Sequence, residues 1–170
     1  MFGPAVPVWL SDSHVSNHKP KNGPLDGNGR RSIYIEVRRN NPYAFFHIFN
    51  RPKPTLATGA RDVTTVPAQS LTLLNDPFVA DQAEKWASLL IDQRGHQSLD
   101  DLVSTMYEQV FARSASPVEV SRAQEFLRDQ AAIYGLDLQT IQEGKAFDDP
   151  RPLRDLAHAL LNHKEFIYVK

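Results

Sequence analysis

Apolar residues recur at helical spacing through the C-terminal hundred residues and lose that spacing toward the N-terminus. Leu99, Leu102, Val103, Met106, Val110 and Phe111 make an i, i+3, i+4, i+7 stripe. Leu153, Leu156, Ala157, Leu160 and Leu161 repeat it, and Val79, Ala83, Trp86, Leu89 and Leu90 fit the same period. The boundaries are also written in the chain. Asp76-Pro77 reads as an N-cap with proline at the first helical position, opening a helix to about Gln93 that Gly95 ends. Ser98 caps the next helix, with Asp100 and Asp101 in the first turn, where the helix dipole favours negative charge. Ser116-Pro117-Val118-Glu119 is a capping box opening a helix to about Tyr134, with Gly135 as the stop. A shorter helix is expected over Pro67–Asn75 with Leu71 and Leu74 facing inward, and the end, Phe166-Ile167-Tyr168-Val169, is expected to dock on the core. Each stripe must be buried against another, so residues 67–170 are expected to form an antiparallel helical bundle.

Residues 1–66 follow a different pattern. Pro4, Pro7, Pro20 and Pro24 alternate with Gly3, Gly23, Gly27 and Gly29, and Asp26-Gly27-Asn28-Gly29 is turn chemistry favouring positive φ. Residues 32–38 alternate, with Ile33, Ile35 and Val37 on one face, which predicts a single strand. No second clear strand follows, so it pairs with a missing segment or packs as an extended arm, a short helix being the alternative. Asn41-Pro42 then reads as the start of a short helix near 42–49, whose Tyr43, Phe45, Phe46 and Phe49 are expected to be core. Residues 50–66 read as a loop. The fold class is mainly α: an antiparallel helical bundle (67–170) with an irregular, extended, Arg-rich N-terminal arm (1–66), together one domain fragment.

Composition narrows the chemistry. The chain has 170 residues and no cysteine, which excludes disulfides, thiolate metal sites, cysteine nucleophiles and C-x-x-C-H haem attachment. No stretch approaches the ~20 apolar residues of a membrane helix, and Met1–Leu10 lacks the features of a signal peptide. Charge is uneven: residues 1–61 carry nine Lys/Arg against three Asp/Glu, a net +6, and residues 62–170 carry ten against seventeen, a net −7. The arm is therefore expected to lie on the acidic helices.

Arg30, Arg31, Arg38, Arg39, Arg51 and Arg61 are the densest chemical feature. They suit either a clamp on a sulfated or carboxylated glycan or pairing that fixes the arm in place. Nucleic acid is not favoured, because the chain is not basic overall and shows no basic groove interleaved with aromatics. Among the histidines, His14 and His18 stand four apart off any helix and His158 and His163 five apart, so no metal-ligating pattern results. Gly27-Asn28-Gly29 lacks the lysine and hydroxyl partner of a phosphate loop. Gln69, Asn75, Asp76 and Pro77 form a sharp local motif whose explanation is structural, as caps and hydrogen bonds. No catalytic residue and no cofactor is predicted.

Three segments in order carry a resemblance: Gly27 to Asn40, Val66 to Val79, and Leu160 to Val169. Together they resemble the planctomycete-specific PSD-type domain of unknown function, which lies C-terminal in planctomycete cytochrome-associated proteins, and the likeness runs from about Phe2 to Val169. The resemblance implies the C-terminal portion of a larger exported protein with cytochrome-c-like modules upstream as partners, and an extracytoplasmic or cell-surface location. Function is expected to be that of a non-catalytic structural or interaction module. The alternatives are a fragment of a polysaccharide-active enzyme, or a module binding anionic glycan through Arg30, Arg38, Trp9 and Tyr34.

Overall fold

A computed structural model of the chain describes residues 3–10, 22–38, 43–52, 57, 59–60, 67–94, 98–136 and 149–167. Among them are seven helices: α1 (Ala44–Ile48), α2 (Pro67–Asn75), α3 (Pro77–Arg94), α4 (Leu99–Phe111), α5 (Pro117–Ile133), α6 (Arg151–Leu161) and α7 (Lys164–Ile167). The protein is mainly helical, as its periodicity predicts. It divides into two compact units, Met1–Phe78 and Val79–Lys170, so α2 groups with the first unit.

The second unit is a helical bundle with one apolar interior. α3 contributes Ala83, Ala87 and Leu90; α4 contributes Leu99, Leu102, Val103 and Met106; α5 contributes Ala123, Leu127 and Ala131; α6 contributes Leu153, Leu156, Ala157 and Leu160. Val110, Phe111 and Leu161 pack at its margin. α5 packs against both α4 and α6, and α7 against the same two. The short link from α4 to α5 suits antiparallel neighbours.

Caps set the helix ends. The Ser98 hydroxyl accepts from the Asp101 N–H at 3.2 Å. Ser116 and Glu119 form the full capping box, with Glu119 Oε2 accepting from the Ser116 N–H at 2.8 Å. α5 closes in a Schellman motif: the Leu136 N–H reaches Ala131 O at 2.9 Å and the Gly135 N–H reaches Ala132 O at 3.1 Å. α4 ends on Ala112 in the left-handed region, φ 54°.

Two apolar predictions on helix faces are corrected. Leu71 and Leu74 of α2 are 59% and 55% exposed, whereas Gln69 and Leu73 are buried. At about 100° per residue the two faces lie on opposite sides of the helix, and the buried one is set by Gln69, whose Nε2 donates to Ile48 O at 3.1 Å. Leu89 is 54% exposed because it falls outside the arc shared by Val79, Ala83, Ala87 and Leu90. Phe166, expected to dock, is exposed on the single-turn α7; Tyr168 and Val169 lie outside the described residues.

The first unit is held by a backbone clasp. Residues 3–10 run extended past two other segments. The Val6 N–H donates to Tyr34 O at 2.9 Å and the Glu36 N–H donates to Val6 O at 2.8 Å, a single parallel bridge between Val6 and Ile35. Further along the segment the Gly23 N–H donates to Val8 O at 3.1 Å, and Asn22 exchanges two hydrogen bonds with the Leu10 backbone. Val6 and Val8, two apart, point inward and are buried. The strand expected over 32–38 is not formed. Ser32–Tyr34 is a 3-10 turn, and only Ile35 pairs, with a segment of the same chain. The turn breaks the alternation, so Ile33 is 71% exposed and does not share a buried face with Ile35. The turn expected at 26–29 is present: Asp26 Oδ1 accepts from the Asn28 N–H at 2.9 Å, and Gly27, Asn28 and Gly29 all have positive φ. α1 begins at Ala44 with Tyr43 as its N-cap; the expected start, Asn41-Pro42, lies outside the described residues.

Candidate functional site

The aromatic residues of the α1 segment pack on one another. Tyr43 and Phe46 meet edge to face at 5.1 Å, Phe45 and Phe49 lie 5.0 Å apart, and Phe78 meets Phe45 at 5.7 Å. Trp9 meets Tyr43 edge to face at 6.3 Å. Burial pushes the Tyr43 phenol up to about 12, and the nearby Asp76 carboxylate adds to this.

The end of α1 then places a charge on this cluster. Asn50 takes φ 55°, the Asn50 N–H reaches His47 O at 3.1 Å, and the Arg51 N–H reaches Phe46 O at 3.0 Å. These are the two bonds of a Schellman motif, which folds the residue after the turn back over the last helical turn. Accordingly the Arg51 guanidinium lies 5.4 Å from the Phe46 ring centre. Phe45, Phe46, Phe49, Arg51 and Pro52, together with Ser32 and Ile33, line a cleft of about 390 Å³.

Of the other arginines predicted for anion binding, the described ones, Arg30, Arg31 and Arg38, do not line this cleft. Arg30 Nη1 donates to Pro4 O at 2.7 Å, and its guanidinium stacks on Tyr34 at 4.3 Å. Arg38 Nη2 donates to Glu36 Oε2 at 3.2 Å. Arg31 is exposed, preceding the 3-10 turn; Arg39 and Arg61 lie outside the described residues. Asn75, Asp76 and Pro77 lie at the junction of α2 and α3. Asp76 Oδ1 accepts from the Phe78 N–H at 2.9 Å, Pro77 is the first residue of α3, and Asn75 Nδ2 donates to Leu71 O at 2.9 Å.

In the second unit several ionisable groups are tied to one another. Arg113, just after α4, spreads its guanidinium over two carboxylates. Nη1 and Nη2 reach Glu119 at 3.0 and 2.8 Å, while Nε and Nη2 reach Glu165 at 2.7 and 2.8 Å. This links the end of α4 to the start of α5 and to α7. The Arg113 hydrogen bond, aided by those from Ser116, holds Glu119 down at about 2, and Arg113 likewise lowers Glu165. Sequence reasoning named the capping box and missed Arg113. Its signal was an arginine lying between a helix end and the box glutamate. A second group links α5 to α6: the Tyr134 hydroxyl donates to Asp155 Oδ2 at 2.6 Å and accepts from Arg154 Nη2 at 3.0 Å. The bond to Asp155 raises the Tyr134 phenol. Arg151, stacked over the Tyr134 ring at 4.5 Å, lowers Asp149. Among the described residues no group of three or more His, Asp or Glu is arranged to hold a metal, and no helix is long and apolar enough to cross a membrane.

Fold and site together define a mainly α protein of two compact units, one with a helical interior stapled by ion pairs, the other a clasped, aromatic-rich segment. The family described as PSD1, Protein of unknown function (DUF1553), matches residues 1–127, and the chain belongs to it. That match ends at Leu127, inside α5, so Leu160–Val169 lies beyond it. Comparison with curated proteins and with solved structures gave no match.

Proposed function

We propose that the chain is a non-catalytic structural or interaction module. One observation carries this reading: among the described residues the carboxylates with displaced acidity, Glu119, Asp149 and Glu165, are all lowered, each chiefly by an arginine bonded to it. A general acid for polysaccharide cleavage needs the opposite displacement, upward toward neutrality. Arg113 with Glu119 and Glu165 acts as a staple between helices, while Arg151 pairs with Asp149 two residues before it. Arg30 and Arg38 are engaged locally in the same manner, by Pro4 O and Tyr34 and by Glu36, which supports a structural role for them. The resemblance to the planctomycete domain supports a place in a larger exported protein, beside cytochrome-c-like domains that would be its partners.

The reading is tested by incubating the purified chain with carboxylated and sulfated polysaccharides and measuring reducing ends. No release above a heat-denatured control is expected; sustained release overturns it. An antiserum against the chain tests the setting. It should detect a polypeptide well above 19.2 kDa in the extracytoplasmic fraction, and a band of that mass confined to the cytosol sinks the exported-parent reading.

A further inference from the structure

We propose that the cleft over α1 is a binding site for a small ring-shaped anion: one ring with an apolar face, bearing a carboxylate. The reading of the chain as a module survives an empty cleft, so the two stand separately.

The first support is the exposure of the aromatic face. Phe45, Phe46 and Phe49 are half-buried, in contact with one another, and line a cleft. A chain that needed these rings only for stability would gain by covering them. Their mutual packing instead presents ring surface already in place, so a flat ligand could stack without rearrangement.

The second support is Arg51. The Schellman bonds fix its backbone, and the guanidinium rests against Phe46. Arg30 and Arg38 are each bonded to an oxygen of this unit, whereas Arg51 makes no ion pair with a carboxylate among the described residues. Guanidinium keeps its charge at any working pH and offers two parallel N–H donors to a carboxylate. Ser32 also lines the cleft, and a serine hydroxyl there adds one donor and acceptor for a ring substituent. The first unit also carries nine Lys/Arg against five Asp/Glu, which favours approach of an anion.

The third support is size. About 390 Å³ lies at the small end of the range for ligand pockets, roughly 300–1,000 Å³, and suits a single ring. An aromatic carboxylate and a sugar carboxylate share the required chemistry.

Titration of the full chain followed by amide resonances distinguishes these two sources. The probes are benzoate and glucuronate, with benzyl alcohol and glucose as their neutral counterparts. At least one acid is expected to shift the amides of Phe45, Phe46, Phe49 and Arg51 saturably in the millimolar range, and which acid does so identifies the source. Its neutral counterpart should bind at least about 10-fold more weakly. Arg51→Gln should weaken the acid at least about 10-fold at an unchanged unfolding midpoint, with Arg51→Lys in between. The proposal is overturned if neither acid moves these amides by ~50 mM, far above a millimolar Kd. It is equally overturned if acid and neutral compound bind alike, or if a folded Arg51→Gln chain binds as well as the wild type. Should Arg51→Gln fail to fold, the comparison of acid with neutral compound on the wild-type chain decides by itself.

Discussion

The two units solve the same problem by different means. The second buries fourteen apolar side chains in one cluster drawn from four helices. Among the described residues of the first, the buried apolar side chains are Val6, Val8 and Leu73. Its described residues are joined instead by a set of backbone bonds along residues 3–10 and a group of half-buried aromatic rings. Burial rewards atoms according to the area removed from water, and it tolerates small shifts along a helix face. A backbone clasp depends on particular groups at particular distances. The second unit should therefore be sensitive to lost volume, and the first to added volume.

Truncation in the bundle provides the largest effect. Leu127→Ala and Leu153→Ala, at positions with no exposure, should each cost about 2–5 kcal/mol, read by urea unfolding followed by circular dichroism. Leu73→Ala should fall at the low end of that range, since among the described residues its unit has only Val6 and Val8 as further buried apolar side chains. A Leu73→Ala loss as large as that of Leu127→Ala would break the contrast.

Next comes the clasp. A Cβ on Gly23 would stand 1.7 Å from Pro7 O, a backbone atom that cannot step aside without breaking the Gly23–Val8 bond. Gly23→Ala should cost at least the about 1–3 kcal/mol typical of overpacking. Hydrogen exchange localises the effect: the Val6, Gly23 and Glu36 amides should lose protection while those of α4–α6 keep theirs. Uniform loss across both units would show that they unfold as one.

A smaller change has the opposite sign. Ala112 holds φ 54° at the end of α4, a conformation that costs an L-residue about 1–2 kcal/mol. Ala112→Gly should stabilise the second unit by up to about 1 kcal/mol after glycine's greater chain entropy is subtracted, measured as a higher urea midpoint.

Proton linkage separates the units most finely. Glu119 is held at about 2 against an ordinary 4.5. The contribution of its pairing is complete above pH 4.5 and disappears as pH falls toward 2. Glu119→Gln should flatten the fall of the melting temperature over that interval. Tyr43 behaves in the reverse sense. Its phenol is raised from 10.0 to about 12, so burying it neutral stabilises the first unit below pH 10, and that benefit is lost as pH rises to 12. Tyr107 and Tyr134 are raised as well, so ultraviolet titration should show a late-ionising phase whose amplitude Tyr43→Phe lowers by one phenol; a late phase of unchanged amplitude would show that Tyr43 is not part of it.

Much of the helical unit was legible from residue order. A 3.6-residue period, a serine with a glutamate three positions on, and a glycine after the last turn are local signals, and local hydrogen bonding answers them. Hence the starts of α3, α4 and α5 fall where Asp76, Ser98 and Ser116 predict. The alternation at 32–38 misled because a strand is completed by its neighbour. With one bridge to Val6 available, the 3-10 turn at Ser32–Tyr34 prevails and turns Ile33 outward. The true period-two pair, Val6 and Val8, is only two residues of signal inside a proline-rich stretch. The Arg113 staple and the Arg51 cleft were equally hidden, because their members are separated in sequence and meet only when the elements pack. Local chemistry thus determined which segments are helices and where they stop. Tertiary packing alone decided which face of α2 is buried, which carboxylates lie under Arg113, and which aromatic surface remains uncovered, because each of these depends on groups whose distance no spacing rule encodes.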